Sequence, residues 1–186
     1  QLKDQFLGIS GTNFPQMAPK YEWFKTEFPE ESKKIAKYLM ISGYVIGKLG
    51  DLPIEDAVID RTFTQWTGLA DVRKDKWSEE ICDAIGLDQK YLPRIVNSND
   101  ICGYLSESSA KETGLKAGIP LVSGAGDKPA GCLGAAIVTP GDMIFEASSY
   151  GEISCCVEEY RPGWEERRLD VIPSAVPGEF FATHFV

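Results

Sequence analysis

The stretch from Gly118 to Gly151, GIPLVSGAGDKPAGCLGAAIVTPGDMIFEASSYG, constrains the fold more than any other part of the chain. Ile119-Pro120-Leu121-Val122 is a short apolar run bounded by glycine and small residues, the pattern of a buried strand. It empties into Ser123-Gly124-Ala125-Gly126, where small residues permit a tight turn or a close approach of backbone to a ligand. Asp127 follows, then Lys128-Pro129 and the small-residue run Ala130 to Ala136. An Asp ahead of Pro and a helix-compatible run predicts a helix start. A carboxylate at that point is stabilised by backbone N–H groups and the positive end of the helix. Taken alone, the pattern is that of a helix-capping Asp, a common structural use of the residue.

The continuation adds chemistry. Thr139-Pro140-Gly141-Asp142 reads as a turn, Met143 to Ala147 as a strand, Ser148-Ser149-Tyr150-Gly151 as a tight turn and Glu152 to Val157 as the returning strand. A hairpin tip with hydroxyls and a glycine offers backbone N–H groups and side-chain donors to a phosphate.

Together these residues resemble the central signature of the FGGY carbohydrate kinases, the sugar and polyol kinases. That signature runs roughly G-x-x-D-x-x-A-x-x-x-G, a spacer, P-G-D, a strand and then G-T-S-G. Gly124, Asp127, Ala130 and Gly134 match its first part, and Pro140-Gly141-Asp142 its middle. The resemblance implies that Asp127 is the general base for the sugar hydroxyl. It implies that Ser148 and Ser149 bind the ATP phosphates, in a turn that reads Ala147-Ser148-Ser149 where the family has Gly-Thr-Ser. Lys128 stands where xylulokinases carry a sugar-contacting Asn, and so takes the substrate-binding place.

The resemblance extends upstream. Trp23, Pro29, Tyr44, Leu49, Gly50 and Asp60 occupy the places of a W-x-K element, P-E, a D-Y-like segment, a leucine-glycine stop and an isolated Asp. Trp66 to Asp71 matches T-G-L-x-D, and Lys76-Trp77-Ser78 matches a W-S segment. In the family the loop before the Trp23 helix lies near the sugar cleft, which makes Asn13 and Phe14 candidate substrate contacts. Trp23 itself reads first as a core aromatic on a helix rather than a sugar-stacking platform. Asp60, before Arg61-Thr62-Phe63-Thr64, reads as a helix cap with a structural role.

Composition bounds the rest. The chain has 186 residues, 43% hydrophobic and 25% charged, enough for a sizeable core. A formal net charge of −9 argues against nonspecific nucleic-acid binding and against anionic lipid surfaces. No apolar run reaches the roughly 18 residues of a membrane span. The cysteines, Cys82, Cys102, Cys132, Cys155 and Cys156, form no C-x-x-C pair, and His184 is the only histidine, so a zinc site is not expected and no residue is assigned to a metal. Scattered buried thiols in a reducing cytoplasm are the simpler reading.

The fold class implied is α/β, a partial ribonuclease H-like (actin-like ATPase) fold. Residues 1–138 are read as the C-terminal part of the first kinase domain and residues 139–186 as the start of the second. The function implied is ATP-dependent phosphorylation of a sugar or polyol, first of all a ketopentose such as xylulose, with ATP and Mg²⁺ and in the cytoplasm. The resemblance also admits a homodimer. Both ends look cut, and this piece alone is expected to bind ATP poorly and to be inactive. Two alternatives stay open: a non-catalytic kinase relative that binds sugar or partner proteins, and another actin-like phosphotransferase.

Overall fold

Short apolar runs broken by glycine, proline and acidic turns give short elements, and the computed structural model follows them closely over the residues it describes, 2–12, 14–147, 151–163 and 169–185. In chain order these are α1 (Leu2–Ser10), α2 (Met17–Glu27), α3 (Pro29–Ser32), α4 (Ile41–Gly50), β1 (Val58–Asp60), α5 (Thr64–Thr67), β2 (Ala70–Asp71), β3 (Lys76–Trp77) and α6 (Glu79–Ala84). There follow β4 (Arg94–Val96), β5 (Ile101–Tyr104), α7 (Glu107–Thr113), β6 (Pro120–Val122), α8 (Asp127–Gly134), β7 (Met143–Ala147), β8 (Gly151–Val157), β9 (Asp170–Pro173) and β10 (Phe180–Phe185). Strands β1 and β4 pair in parallel, while β2 with β3 and β5 with β6 pair antiparallel. The last strands make an antiparallel sheet in the order β7-β8-β10-β9.

Local chemistry sets the ends of α6 and α7. The Ser78 hydroxyl accepts from the Ile81 N–H and opens α6; the Ser106 hydroxyl accepts from the Ser109 N–H and opens α7; Gly114 closes α7 in the left-handed conformation. Helix α4 lies directly on β1. A Cβ at Gly43 would stand 2.2 Å from the Val58 carbonyl oxygen, so only glycine allows that approach.

Apolar clusters hold the layers, Ile46, Val58 and Val96 joining α4 to β1 and β4. Ala18, Tyr21, Leu69, Ile81, Cys82, Leu87 and Leu92 form the core under α2 and α6. Val72, Tyr160, Val171 and Phe180 join the first half of the chain to the four-stranded sheet. Cys132 and Ile137, from α8 and the residues after it, pack on Cys156, Ile172, Phe181 and Ile144 of the same sheet. A buried cation adds to the second join. The Arg61 side chain bridges both Asp75 carboxylate oxygens through Nε, at 3.1 and 3.2 Å, and Nη1 donates to the Ser174 carbonyl at 2.6 Å.

The Asp60 cap forms as expected and extends further. One carboxylate oxygen accepts from the Thr62 N–H at 2.9 Å and from the Thr62 hydroxyl; the other accepts from the Ser98 hydroxyl at 2.8 Å. Burial pushes the Asp60 pKa up, against the hydrogen bonds that lower it. The Thr62 oxygen in turn accepts the Gly126 N–H at 2.8 Å.

Two expectations are corrected. Strand β6 forms but is not buried: among the described residues it pairs only with β5, and Val122, with Ile119 just before the strand, remains exposed, at 48% and 39%. Trp23 is not a core aromatic. It is 58% exposed and packs on the Phe28 ring edge, because Ala18 and Tyr21 occupy the buried side of α2 and Trp23 lies about 200° around the helix from Tyr21.

Two outcomes follow. Thr62→Val removes the acceptor of a buried N–H while conserving shape, and should lower stability by ~1–3 kcal/mol; an unchanged melting temperature would show that Thr62 does not hold the Gly126 loop. Burial pushes the Cys82, Cys132 and Cys156 thiols up to about 11, so they stay protonated at neutral pH. Thiol labelling of the native protein at pH 7 should leave these three unmodified until denaturant is added, as peptide mapping would show.

Candidate active site

The turn between β6 and α8 is fixed from outside itself. The Ser123 N–H donates to the Asp100 carbonyl at 3.1 Å, Gly124 N–H to the Ser98 carbonyl at 2.9 Å, and Gly126 N–H to Thr62. Asp127 is therefore delivered to a defined place by residues near the ends of β1 and β4. It is not the helix cap that local pattern favours. Gly126, with extended backbone, holds that position, and its carbonyl accepts the Ala130 N–H at 2.9 Å. Asp127 is the first helical residue and is exposed, and its Oδ1 accepts the Lys128 N–H at 2.9 Å. Pro129 is tolerated in this first turn because its missing N–H would have no intrahelical partner. The site thus presents an open carboxylate at the positive end of a helix, suited to accept a proton from a substrate hydroxyl.

Lys128 turns away from water. Its side chain is 11% exposed, and its ammonium contacts Glu146 on β7 and, at 3.2 Å, Glu152 on β8. Burial works against its charge, but the hydrogen bonds and attraction of the two glutamates outweigh it and raise its pKa above the ordinary lysine value. Glu146 and Glu152 are direct cross-strand partners, with Ala147 and Gly151 the next pair toward the turn. The structure so brings Lys128, the residue after Asp127, onto the hairpin close to its turn.

Phe14 is 67% exposed on the loop between α1 and α2. Its N–H donates to the Thr12 hydroxyl at 3.0 Å, and that hydroxyl donates to the Asp170 carboxylate on β9 at 3.1 Å. The loop is pinned there as well by Gly11 (φ 74°), whose carbonyl accepts the Val171 N–H at 2.8 Å. Phe14 shares no hydrogen bond with the Asp127 group among the described residues. Asn13, Ser148 and Ser149 lie outside the described residues.

Sequence reading did not single out Thr62, Ser98, Glu146 or Glu152. The last two had a usable signal: they stand symmetrically about the hairpin turn, and a like-charge cross-strand pair calls for a cation. Thr62 and Ser98 had none, since their partners are set by the parallel pairing of β1 with β4.

Comparison with known proteins shows the family. The model of the FGGY family of carbohydrate kinases, N-terminal domain, matches residues 4–134. The chain is 26% identical over 179 residues to an autoinducer-2 kinase of Klebsiella pneumoniae, covering 96% of this chain and 33% of that protein. It is 30% identical over 143 residues to a xylulose kinase of Bacillus subtilis, covering 76% of this chain and 28% of that one. The crystal structure of xylulose kinase from Rhodospirillum rubrum superposes with a TM-score of 0.86 at 22% identity, over 98% of this chain and 36% of that one. The chain thus spans about a third of the length of the relatives it matches. Its architecture is part of the actin-like ATPase fold of ribonuclease H type. With the family model matched over most of its length, this chain belongs to the FGGY family of carbohydrate kinases.

Proposed function

We propose that this chain is the central part of an ATP-dependent sugar or polyol kinase, a phosphotransferase with an alcohol acceptor. The observation that carries the reading is the exposed Asp127 carboxylate at the first residue of α8, with the next residue, Lys128, paired to the β7–β8 hairpin close to its turn. Phosphoryl transfer asks a protein mainly for positioning and charge stabilisation. Asp127 takes the hydroxyl proton as the substrate oxygen bonds to the γ-phosphorus, and the bond to ADP breaks. Ser148 and Ser149 hold phosphate oxygens of the nucleotide, and Asn13 and Phe14 contact the sugar. Mg²⁺ belongs with the nucleotide, neutralising charge on its phosphates, and no residue of this chain is assigned as its ligand.

A ketopentose such as xylulose is the first substrate to try, given the named activity of the Bacillus subtilis relative. The start of the four-stranded sheet at Met143 supports a second domain opening near residue 139, with residues 1–138 closing the first. A cytoplasmic setting fits ATP use; among the described residues no helix is long and apolar enough to cross a membrane. A second reading, a kinase relative that binds sugar without catalysis, draws on Lys128, whose charge is engaged by the hairpin.

The test is ADP release by the full-length protein with ketopentoses, hexuloses, gluconate and polyols, run beside Asp127→Asn. One sugar should drive turnover, and the substitution should cut kcat by about 10²–10⁴, the range for a lost general base. An equally active variant would remove Asp127 from that role. Tight sugar binding without turnover would favour the non-catalytic reading.

A further inference from the structure

The β7–β8 hairpin contains an electrostatic conflict that a lysine of α8 resolves. Glu146 and Glu152 face each other directly across the two strands, an arrangement that destabilises a sheet when the charges are alike. The pairing nevertheless continues in register from Met143 with Cys155 to Ala147 with Gly151. Lys128 sits between the two carboxylates, its ammonium touching both. A lysine this buried is rare unless paired, and here it has two partners from one hairpin. The same residue supplies the backbone N–H that binds the Asp127 carboxylate at 2.9 Å. One turn further along α8, Cys132 packs on Cys156 of β8, so the helix cannot slide along the strands without breaking a buried apolar contact.

We infer that Lys128 is a positioning residue: its N–H orients Asp127 while its ammonium holds Glu146 and Glu152 together, so that one residue sets the distance between the base and the hairpin. The inference rests on the kinase reading for its consequence, that nucleotide bound at the hairpin is placed against Asp127 through Lys128, and Lys128 makes no contact with the sugar. Charge gives the direction of the effect. The three side chains carry a net −1; without the lysine they carry −2, which repels the phosphates of a nucleotide and splays the strands.

The experiment is steady-state ADP release by the full-length protein, with ATP and sugar varied separately, for wild type, Lys128→Met, Lys128→Arg and Lys128→Met/Glu152→Gln. Lys128→Met should raise KM for ATP about tenfold, equivalent to ~1.4 kcal/mol, and lower kcat, with KM for sugar unchanged. Lys128→Arg, which keeps the charge, should retain most of the wild-type ATP affinity. The double variant, which removes one of the opposed carboxylates with the cation, should recover part of the ATP affinity lost in the single. A purely structural role would reduce the active fraction and move neither KM. A raised KM for sugar in Lys128→Met or Lys128→Arg, or no recovery in the double variant, overturns the inference. If Lys128→Met does not fold, Lys128→Met/Glu152→Gln decides: a raised KM for ATP with an unchanged KM for sugar upholds the inference, and an unchanged KM for ATP overturns it. If the wild type turns over no sugar, the kinase reading fails, and calorimetry with Mg–ADP still decides this one: about tenfold weaker binding by Lys128→Met upholds it, and equal binding, or none by the wild type, overturns it.

Discussion

The placement of Asp127 depends on a carboxylate far from it in sequence. Asp60, buried at the end of β1, accepts hydrogen bonds from the Thr62 N–H, the Thr62 hydroxyl and the Ser98 hydroxyl. A buried carboxylate is tolerable only when its oxygens are satisfied in this way. Thr62 and Ser98 then pass the constraint on, the first through its oxygen to the Gly126 N–H and the second through its carbonyl to the Gly124 N–H. Both ends of the glycine turn are thereby tied to one buried charge. The turn needs such ties, because small residues leave it little side-chain packing of its own.

A second set of long-range contacts fixes that turn relative to the four-stranded sheet. Arg61, the residue after Asp60, is buried and reaches Asp75 on one side and the Ser174 carbonyl at the end of β9 on the other. Helix α8 packs Cys132 on the sheet and clamps the hairpin glutamates with Lys128. Consecutive residues thus serve different layers: Asp60 and Asp127 belong to the turn, Arg61 and Lys128 to the sheet. Such pairing of adjacent residues converts backbone geometry into a fixed separation between the glycine turn and the hairpin.

The fold was largely legible in the sequence. Caps at Ser78 and Ser106, the glycine stop at Gly114, the Thr139–Asp142 turn and the β7–β8 hairpin all sit where residue chemistry places them, because each depends on neighbours within a few positions. Family resemblance, carried by Gly124, Asp127, Ala130 and the Pro-Gly-Asp turn, gave the architecture that the structural relatives share. Where local pattern misled, the cause lay in the surroundings. Trp23 is apolar and helical but on the outer side of α2, and Val122 is strand-forming but on a strand with a single partner among the described residues.

The sequence by itself determined the caps at Ser78 and Ser106, the Thr139–Asp142 turn, the β7–β8 hairpin and the acidic residue at the start of α8, since hydrogen bonds in turns and caps close over short chain distances. Only the tertiary structure decided that Gly126 rather than Asp127 caps that helix, that Ser98 reaches Asp60 from 38 residues away, and that Lys128 faces two hairpin carboxylates. The reason is physical: a charged side chain goes where its opposite charge and its burial can be satisfied together, and that place is known only once the strands carrying the partners have paired.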